Sequence, residues 1–158
     1  MRGLNHPQQR IILAVGLPGA GKSTWFQRHG ITPLSSDQMR LLLADDENDQ
    51  SIHIEVFESL RYLLTQRLRI GRPASYVDAT HLLRIHRQAY HELAREQGCL
   101  VEALWFDAPL ELCLERNRAR PRRVPEEVML EMARTFEPPT EEEGFAAVTR
   151  LREPARGA

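Results

Sequence analysis

The most constraining feature of the chain is a glycine-rich loop between an apolar segment and a predicted helix. Residues 10–15 (RIILAV) form a short, mainly apolar run rich in β-branched side chains, which is typical of a buried strand. The loop that follows, residues 16–23, reads GLPGAGKS and fits the spacing G-x-x-x-x-G-K-S. A helix is predicted from Ser23 onward. This strand–loop–helix context marks a loop that binds nucleotide phosphates, a P-loop.

The residue types of this loop suit an anionic ligand. Gly16, Gly19 and Gly21 lack a Cβ, so the backbone can turn tightly and approach a phosphate closely. The amides at the helix N-terminus point toward the same anion. Lys22 would place its charge between the β- and γ-phosphates, and the Ser23 hydroxyl would ligate Mg²⁺. The predicted nucleotide-binding residues of the loop are Gly16, Pro18, Gly19, Ala20, Gly21, Lys22, Ser23 and Thr24.

Length and composition bound the remaining possibilities. The chain has 158 residues, 42% hydrophobic and 27% charged, as expected for one globular domain over 1–158. No apolar run approaches the ~20 residues that span a bilayer, and the N-terminus lacks a secretory apolar segment. Cys99 and Cys113 fit no metal spacing. We expect a cytoplasmic protein without membrane contact, whose residues 1–9 are flexible. The net charge of −1 argues mildly against general coating of nucleic acid.

Predicted strands alternate with predicted helices, which favours an α/β fold with a parallel sheet and helices on both faces. The predicted strands are 10–16, 31–34, 74–80, 99–106 and 145–151, and the predicted helices are 23–29, 38–43, 50–70, 83–97, a segment opened by 107–109, and 124–136. Ligands of such sheets lie beyond the carboxyl ends of the strands. The P-loop, Asp37, Asp78 and Asp107 follow predicted strand ends, so we expect them to meet at one site.

A carboxylate and a guanidinium follow the second predicted strand. Asp37 is placed to orient an acceptor hydroxyl and take its proton. Arg40 lies three residues later, on the same helical face, and would bind a phosphate on the acceptor. Two alternatives remain open: Asp37 could cap the helix, and Arg40 could pair with Asp37 or with the acidic loop 45–49.

Two further groups are candidates for donor chemistry. Asp78 resembles the Walker B carboxylate, which would hold Mg²⁺ through water or orient Ser23 and Lys22. The alternative is a helix cap. Arg116 and Arg120 lie four residues apart at the end of a helix, and arginines from a mobile lid would stabilise charge on the transferred phosphoryl group. A solvated basic patch is the alternative, but prolines on either side favour a small helical lid over 116–124.

Other conspicuous side chains receive structural interpretations. His81, His86 and His91 recur every five residues, a spacing that does not line one helix face, so we predict surface residues and no metal site. Trp25 and Trp105 are predicted core residues.

Four motifs taken together are more specific than the P-loop alone. They are GLPGAGKSTW (16–25), SSD-x-x-R (35–40), DAT (78–80) and ERNR-x-R (115–120). In combination they resemble the polynucleotide 5′-kinase domain of bacterial and phage RNA end-healing enzymes, over about residues 10–151. Members of that family often carry Asn where this chain has His81, which leaves the local acceptor or nucleotide contacts open.

The resemblance implies an ATP-dependent phosphoryl transfer to the 5′-hydroxyl end of RNA or DNA. Lys22 and Ser23 would bind ATP phosphates and Mg²⁺, and Asp37 would be the general base. Arg40 would contact the phosphate beside the acceptor nucleoside. Arg116 and Arg120 would contact the donor phosphates from the lid. End healing or ligase proteins would then be partners.

Two other functions remain open at this point. The first is a small-molecule kinase on the same scaffold, with a sugar-acid, antibiotic or nucleotide-sugar acceptor, similar to zeta toxins. The weak overall charge suits it better. The second is a nucleotide-dependent switch without transfer activity. Such a switch does not need a candidate base such as Asp37 or the two lid arginines, which argues against it.

Overall fold

The described part of the chain builds one parallel sheet of five strands in the order β2-β3-β1-β4-β5. A computed structural model describes residues 8–121 and 123–153. The strands are β1 (Arg10–Val15), β2 (Leu34–Ser35), β3 (Ala74–Asp78), β4 (Leu100–Asp107) and β5 (Ala147–Arg152). The helices are α1 (Lys22–Arg28), α2 (Ser36–Ala44), α3 (His53–Arg69), α4 (Arg84–Gln97), α5 (Leu110–Arg118) and α6 (Glu126–Thr135), with a 3₁₀ turn over Glu141–Glu143. The predicted α/β fold is confirmed.

The two faces of the sheet carry separate apolar cores. Because successive side chains of a strand point to opposite faces, Ile11 and Leu13 lie on one side and Ile12 and Ala14 on the other. Helices α2, α3 and α4 cover the first side, and α1, α5 and α6 cover the second. Residues 11–15 are all buried, as expected for a central strand enclosed on both faces.

The register of the sheet brings the functional loops together. Ala14 lies opposite Asp78 of β3 and opposite Leu104 of β4, so β1 and β3 end side by side while β4 continues to Asp107. The loop after β1 therefore starts next to the loop that follows Asp78. Asp107 ends β4 opposite Arg152 of β5.

Several element boundaries differ from the predictions. The second strand is Leu34–Ser35 rather than 31–34, because Pro33 has no amide to donate and the Ile31 amide donates to Phe26, 3.0 Å away. The third strand ends at Asp78 rather than at residue 80, because the Thr80 carbonyl accepts from the first residue of the P-loop.

The predicted flexible segment covers residues that the structure describes only in part. Residues 1–7 lie outside the described residues. Gln9 is held in place, because its side-chain amide donates to the carbonyls of Leu68 and Arg72 at 3.1 and 2.8 Å. Its own carbonyl accepts from the amide of Leu100 at 3.0 Å.

The histidines do not lie at the surface as predicted. Of the three histidines in that series, His81 and His91 are buried and His86 is exposed. The prediction was wrong because residues 79–83 form a loop against the P-loop, while His91 packs edge-on against the ring of Phe145.

Both cysteines are free thiols. Among the described helices, none has the length and apolar character needed to cross a bilayer.

Candidate active site

A cleft of about 1520 Å³ opens beyond the carboxyl ends of the strands. Its walls come from the P-loop, the start of α2, the end of β3, the α5–α6 connection and the end of β5. The lining includes 18–25, 35–37, Arg40, 78–80, Arg116, Arg120, 123–125 and 151–153. Most predicted site residues therefore share one cavity.

Two predicted members of the site lie outside the lining of this cleft. Gly16 does not line it, because its amide donates to the Thr80 carbonyl at 3.0 Å. A Cβ at Gly16 would lie 2.9 Å from the carbonyl oxygen of Phe106, so this glycine allows close packing under the loop. Asp107 is also outside the lining, because Arg150 binds its carboxylate at 2.6 Å.

The central glycines of the loop have backbone conformations that favour glycine. Gly19 has φ of +83° and Gly21 has φ of +99°, in the left-handed region. A Cβ on Gly19 would also lie 2.7 Å from the carbonyl oxygen of Cys113 in α5. Gly21 immediately precedes α1, so the free amides of that helix face the cleft.

Lys22 stands in the loop with its ammonium folded over the backbone. Its Nζ donates to the carbonyls of Gly16 and Leu17 at 2.7 and 2.8 Å. Burial lowers the pKa of Lys22 to about 8, and the nearby carboxylate of Asp78 partly opposes that shift. A phosphate in the cleft would supply the negative charge that favours the ammonium form.

This environment predicts that ATP binding is linked to proton uptake by Lys22. At pH 9 the free protein holds Lys22 mainly neutral, because its pKa is about 8. Bound phosphates raise that pKa, so binding takes up as much as about one proton. Calorimetry of ATP binding in buffers of different ionisation enthalpy measures the uptake. We expect it to be large at pH 9, small at pH 6.5, and absent in Lys22→Met. Uptake of the same size in Lys22→Met would assign the proton to another group.

Asp78 ends β3 at the floor of the cleft. Burial raises the pKa of its carboxyl, and the Lys22 ammonium opposes this. A desolvated carboxylate that lines the same cleft as the Ser23 hydroxyl suits a hard divalent cation such as Mg²⁺. The described residues contain no cluster of three or more His, Cys, Asp or Glu that could hold a metal ion. Ser23 and Asp78 would therefore share the ion with phosphate oxygens and water.

Asp37 and Arg40 form a pair on the first turn of α2. The hydroxyl of Ser35 caps this helix by accepting from the Gln38 amide at 3.3 Å, so the alternative of Asp37 as the N-cap is wrong. The Asp37 side chain is 43% exposed, whereas that of Arg40 is 8% exposed. Arg40 Nη1 donates to Asp37 Oδ1 at 3.2 Å. Its Nε is buried without a hydrogen-bond partner.

The two arginines predicted for the lid have different environments. Arg116 donates to both carboxylate oxygens of Glu153, at 3.0 and 2.6 Å, and to the Gly19 carbonyl at 3.1 Å. Glu153 raises the pKa of Arg116 and was missed in the sequence, since no local pattern links residues 37 positions apart. Arg120 is half-buried in the cleft wall, close enough to Lys22 to lower its pKa.

The connection between α5 and α6 is closed by one side chain. Asn117 Nδ2 donates to the Val124 carbonyl at 2.7 Å, and Asn117 Oδ1 accepts from the Val124 amide at 3.0 Å. The segment predicted as a lid, 116–124, therefore consists of the end of α5 and the loop after Arg118 in the described part, which excludes residue 122.

The tryptophans lie at the edges of the cores. Trp25 is half-buried, lines the cleft and stacks on His29 with ring centroids 3.9 Å apart. Trp105 is half-buried beneath the guanidinium of Arg150, whose Cζ lies 4.3 Å from the ring centroid.

The chain has the P-loop kinase fold. This class of domains is defined by the parallel sheet, the loop between β1 and α1, and the cleft at the strand ends. The chain belongs to the AAA_33 family, described as an AAA domain, which matches residues 11–139.

Two curated relatives are L-seryl-tRNA(Sec) kinases. The protein of Methanococcus maripaludis is 27% identical over 136 residues, which are 82% of this chain and 53% of the relative. The human protein is 37% identical over 82 residues, which are 51% of this chain and 23% of the relative. The chain thus spans about half of the archaeal relative and a smaller part of the human one.

Solved structures share the fold at low identity. A candidate kinase from Chloroflexus aurantiacus has a TM-score of 0.72 at 15% identity, covering 92% of this chain and 88% of its own. The Mycobacterium tuberculosis APS kinase CysC has a TM-score of 0.58 at 20% identity, and the match covers 92% of this chain and 89% of that protein. A chain of a Pnkp1/Rnl/Hen1 complex gives 0.61 at 21% identity, covering 78% of this chain and 43% of its own.

Proposed function

We propose that the chain is an ATP-dependent kinase that transfers a phosphoryl group to a hydroxyl of a small acceptor bearing an anionic group. The observation that carries this proposal is the pair of Asp37 and Arg40 at the cleft wall. A half-exposed carboxylate suits an acceptor hydroxyl. The buried guanidinium beside it, with an unpartnered Nε, suits an anion.

The donor side of the reaction rests on the P-loop. The loop amides and Lys22 hold the phosphates, and Ser23 and Asp78 are the residues suited to Mg²⁺, which would neutralise charge between the phosphates. Arg120 stabilises the charge on the transferred group from the opposite wall. Arg116 is held by Glu153 and orients the wall of the donor site.

The acceptor side rests on α2. Asp37 accepts a hydrogen bond from the hydroxyl and takes its proton as the hydroxyl oxygen bonds to the γ-phosphorus of ATP. The bond from that phosphorus to the β–γ bridging oxygen breaks at the same time, and ADP leaves. Arg40 holds the acceptor anion and, through its contact with Asp37, fixes the carboxylate. Positioning of the two substrates supplies most of the rate, so transfer is direct and in line.

A nucleic acid 5′-hydroxyl end is the second candidate acceptor. Exposed arginines Arg28, Arg123 and Arg152 also line the cleft and would bind backbone phosphates. One structural neighbour comes from the Pnkp1/Rnl/Hen1 complex. The curated relatives are named for a seryl group on tRNA, which also offers a hydroxyl. We rank this candidate second because the guanidinium of Arg40 is buried, unlike the exposed arginines, and the net charge of the chain is −1.

A screen with γ-labelled ATP and Mg²⁺ tests the proposal. The panel contains sugar acids, hydroxy amino acids, aminoglycosides, nucleotide sugars and a 5′-hydroxyl oligonucleotide beside its 5′-phosphorylated twin. We expect label on a small anionic hydroxyl compound. Label on the 5′-hydroxyl oligonucleotide alone, with acceptor affinity falling steeply with salt, would replace our proposal with the second candidate.

Arg40→Gln is expected to weaken acceptor binding more than catalysis. The acceptor KM rises about 10–100-fold, because the substitution removes a desolvated charged partner of the acceptor anion. The KM for ATP changes little, since the P-loop is untouched. Arg69→Gln, on the exposed side of α3, is the matched control. An unchanged acceptor KM would mean that Arg40 serves only its ion pair with Asp37.

A further inference from the structure

A buried ion pair lies behind the active-site cleft, and neither partner lines the cleft. Arg87 of α4 is 0% exposed and Glu143 is 3% exposed. The pair is bidentate, because Arg87 Nε and Nη2 donate to the two carboxylate oxygens at 2.7 and 2.8 Å. Burying such a pair costs much of what the attraction gains, so it contributes little to net stability. We therefore look for a role of this ion pair in fixing the conformation of the groups that it contacts.

The remaining nitrogen of Arg87 acts on the loop that follows Asp78. Arg87 Nη1 donates to the carbonyl of His81 at 2.8 Å. His81 has φ of +50°, a left-handed conformation that costs a non-glycine residue free energy and persists only where contacts impose it. The loop after β3 is thus held in a strained shape from behind by the ion pair.

The same loop is joined to the start of the P-loop. His81 Nδ1 donates to the Ala14 carbonyl at 2.7 Å, and the Thr80 carbonyl accepts from the Gly16 amide at 3.0 Å. Burial lowers the pKa of His81 to about 4, so the ring stays neutral with its proton on Nδ1. The carbonyl of Gly16 in turn accepts from Lys22 Nζ at 2.7 Å. A continuous set of contacts therefore leads from Glu143 to Lys22.

We infer that Arg87 and Glu143 are positioning residues for phosphoryl transfer, acting through His81 to fix Lys22 and Asp78 relative to one another. Neither residue touches a substrate. Their effect falls on the alignment of groups that face the developing charge, and a displacement of about 1 Å at such a site costs about 100-fold in rate. The phosphate-binding amides of the loop lie beyond this contact network. The inference rests on the proposed kinase activity.

Arg87→Lys tests the inference, because lysine keeps the charge but cannot make all three hydrogen bonds. We expect kcat for ATP turnover to fall about 10–100-fold, the usual effect of losing a supporting partner. The Kd for ATP, from calorimetry, stays within about threefold of the original, since the amide cradle is intact. Arg84→Lys on the exposed face of the same helix is the control and leaves both values unchanged. An unchanged kcat in folded Arg87→Lys would overturn the inference.

A second pair of variants tests the step through His81 and keeps the inference falsifiable if Arg87→Lys does not fold. His81→Asn retains a donor and tolerates a positive φ, whereas His81→Leu has neither property. We expect near-normal kcat in His81→Asn and a loss of about 10-fold or more in His81→Leu. Equal kcat in the two variants would overturn the inference.

Amide hydrogen exchange at Gly16 gives a readout that needs no activity. The Gly16 amide is protected by its bond to Thr80, so exchange should accelerate in Arg87→Lys and His81→Leu but not in His81→Asn. Faster exchange in a chain without ATP turnover would contradict the proposed function and leave the positioning contacts supported. If the unmodified chain turned over ATP normally but Gly16 amide exchange were unchanged in both Arg87→Lys and His81→Leu, the positioning role would be contradicted and the proposed function would stand.

Discussion

We expect Asp37→Asn to reduce phosphoryl transfer by orders of magnitude while ATP still binds. The asparagine keeps the size of the side chain and its place on α2, but it cannot take the proton of the acceptor hydroxyl. Loss of a positioned general base lowers kcat by about 10²–10⁴-fold. The Kd for ATP, measured by calorimetry, should stay unchanged because the substitution leaves Lys22 and the loop amides, the groups that we propose hold the phosphates, as they are.

Asp45→Asn is the matched control for this variant. Asp45 ends α2 with φ of 58°, a conformation that asparagine also accepts, and it lies outside the lining of the cleft. The control should transfer phosphate normally. If Asp37→Asn instead lost ATP binding, Asp37 would belong to the donor or metal site, and the proposed acceptor role would be wrong.

We expect Arg120→Ala to slow transfer strongly and to change acceptor binding little. Arg120 lies in the cleft wall near Lys22 and Asp78, and it influences the pKa of both. A guanidinium that stabilises charge on the transferred phosphoryl group acts mainly in the transition state. We expect kcat to fall about 10³-fold, with an acceptor KM close to that of the unmodified chain. Steady-state kinetics with both substrates varied measures the two effects.

Arg118→Ala is the control for Arg120→Ala. Arg118 is the last residue of α5, two positions before Arg120, but it is exposed and pairs with Glu126 at 3.0 Å. Its removal should leave kcat and both KM values unchanged. A raised acceptor KM with normal kcat in Arg120→Ala would move this arginine to the acceptor side of the cleft.

The parts of the site that share a local sequence pattern were predictable. The P-loop lies between an apolar strand and a helix, and Gly19 and Gly21 have the left-handed backbone conformations that favour glycine. Asp37, Asp78 and Thr80 follow strands, so the parallel sheet brings them to one edge. Their chemical roles remain predictions.

The parts that depend on distant pairs were not predictable. Arg116 meets Glu153, and Arg87 meets Glu143, across 37 and 56 positions of the chain. Charged residues in a sequence indicate solvent exposure on average, so a buried pair gives no local signal. The burial of His81 was missed for the same reason, since it depends on the packing of its loop against β1.

The most direct test of the proposed kinase activity is label transfer from γ-labelled ATP to paired acceptors, one with a free hydroxyl and one with that hydroxyl blocked. We predict label on a small anionic acceptor with the free hydroxyl, none on its blocked partner, and none with Asp37→Asn. Release of labelled phosphate alone, at a rate that no acceptor changes, would contradict the proposed transfer and support a nucleotide-dependent switch.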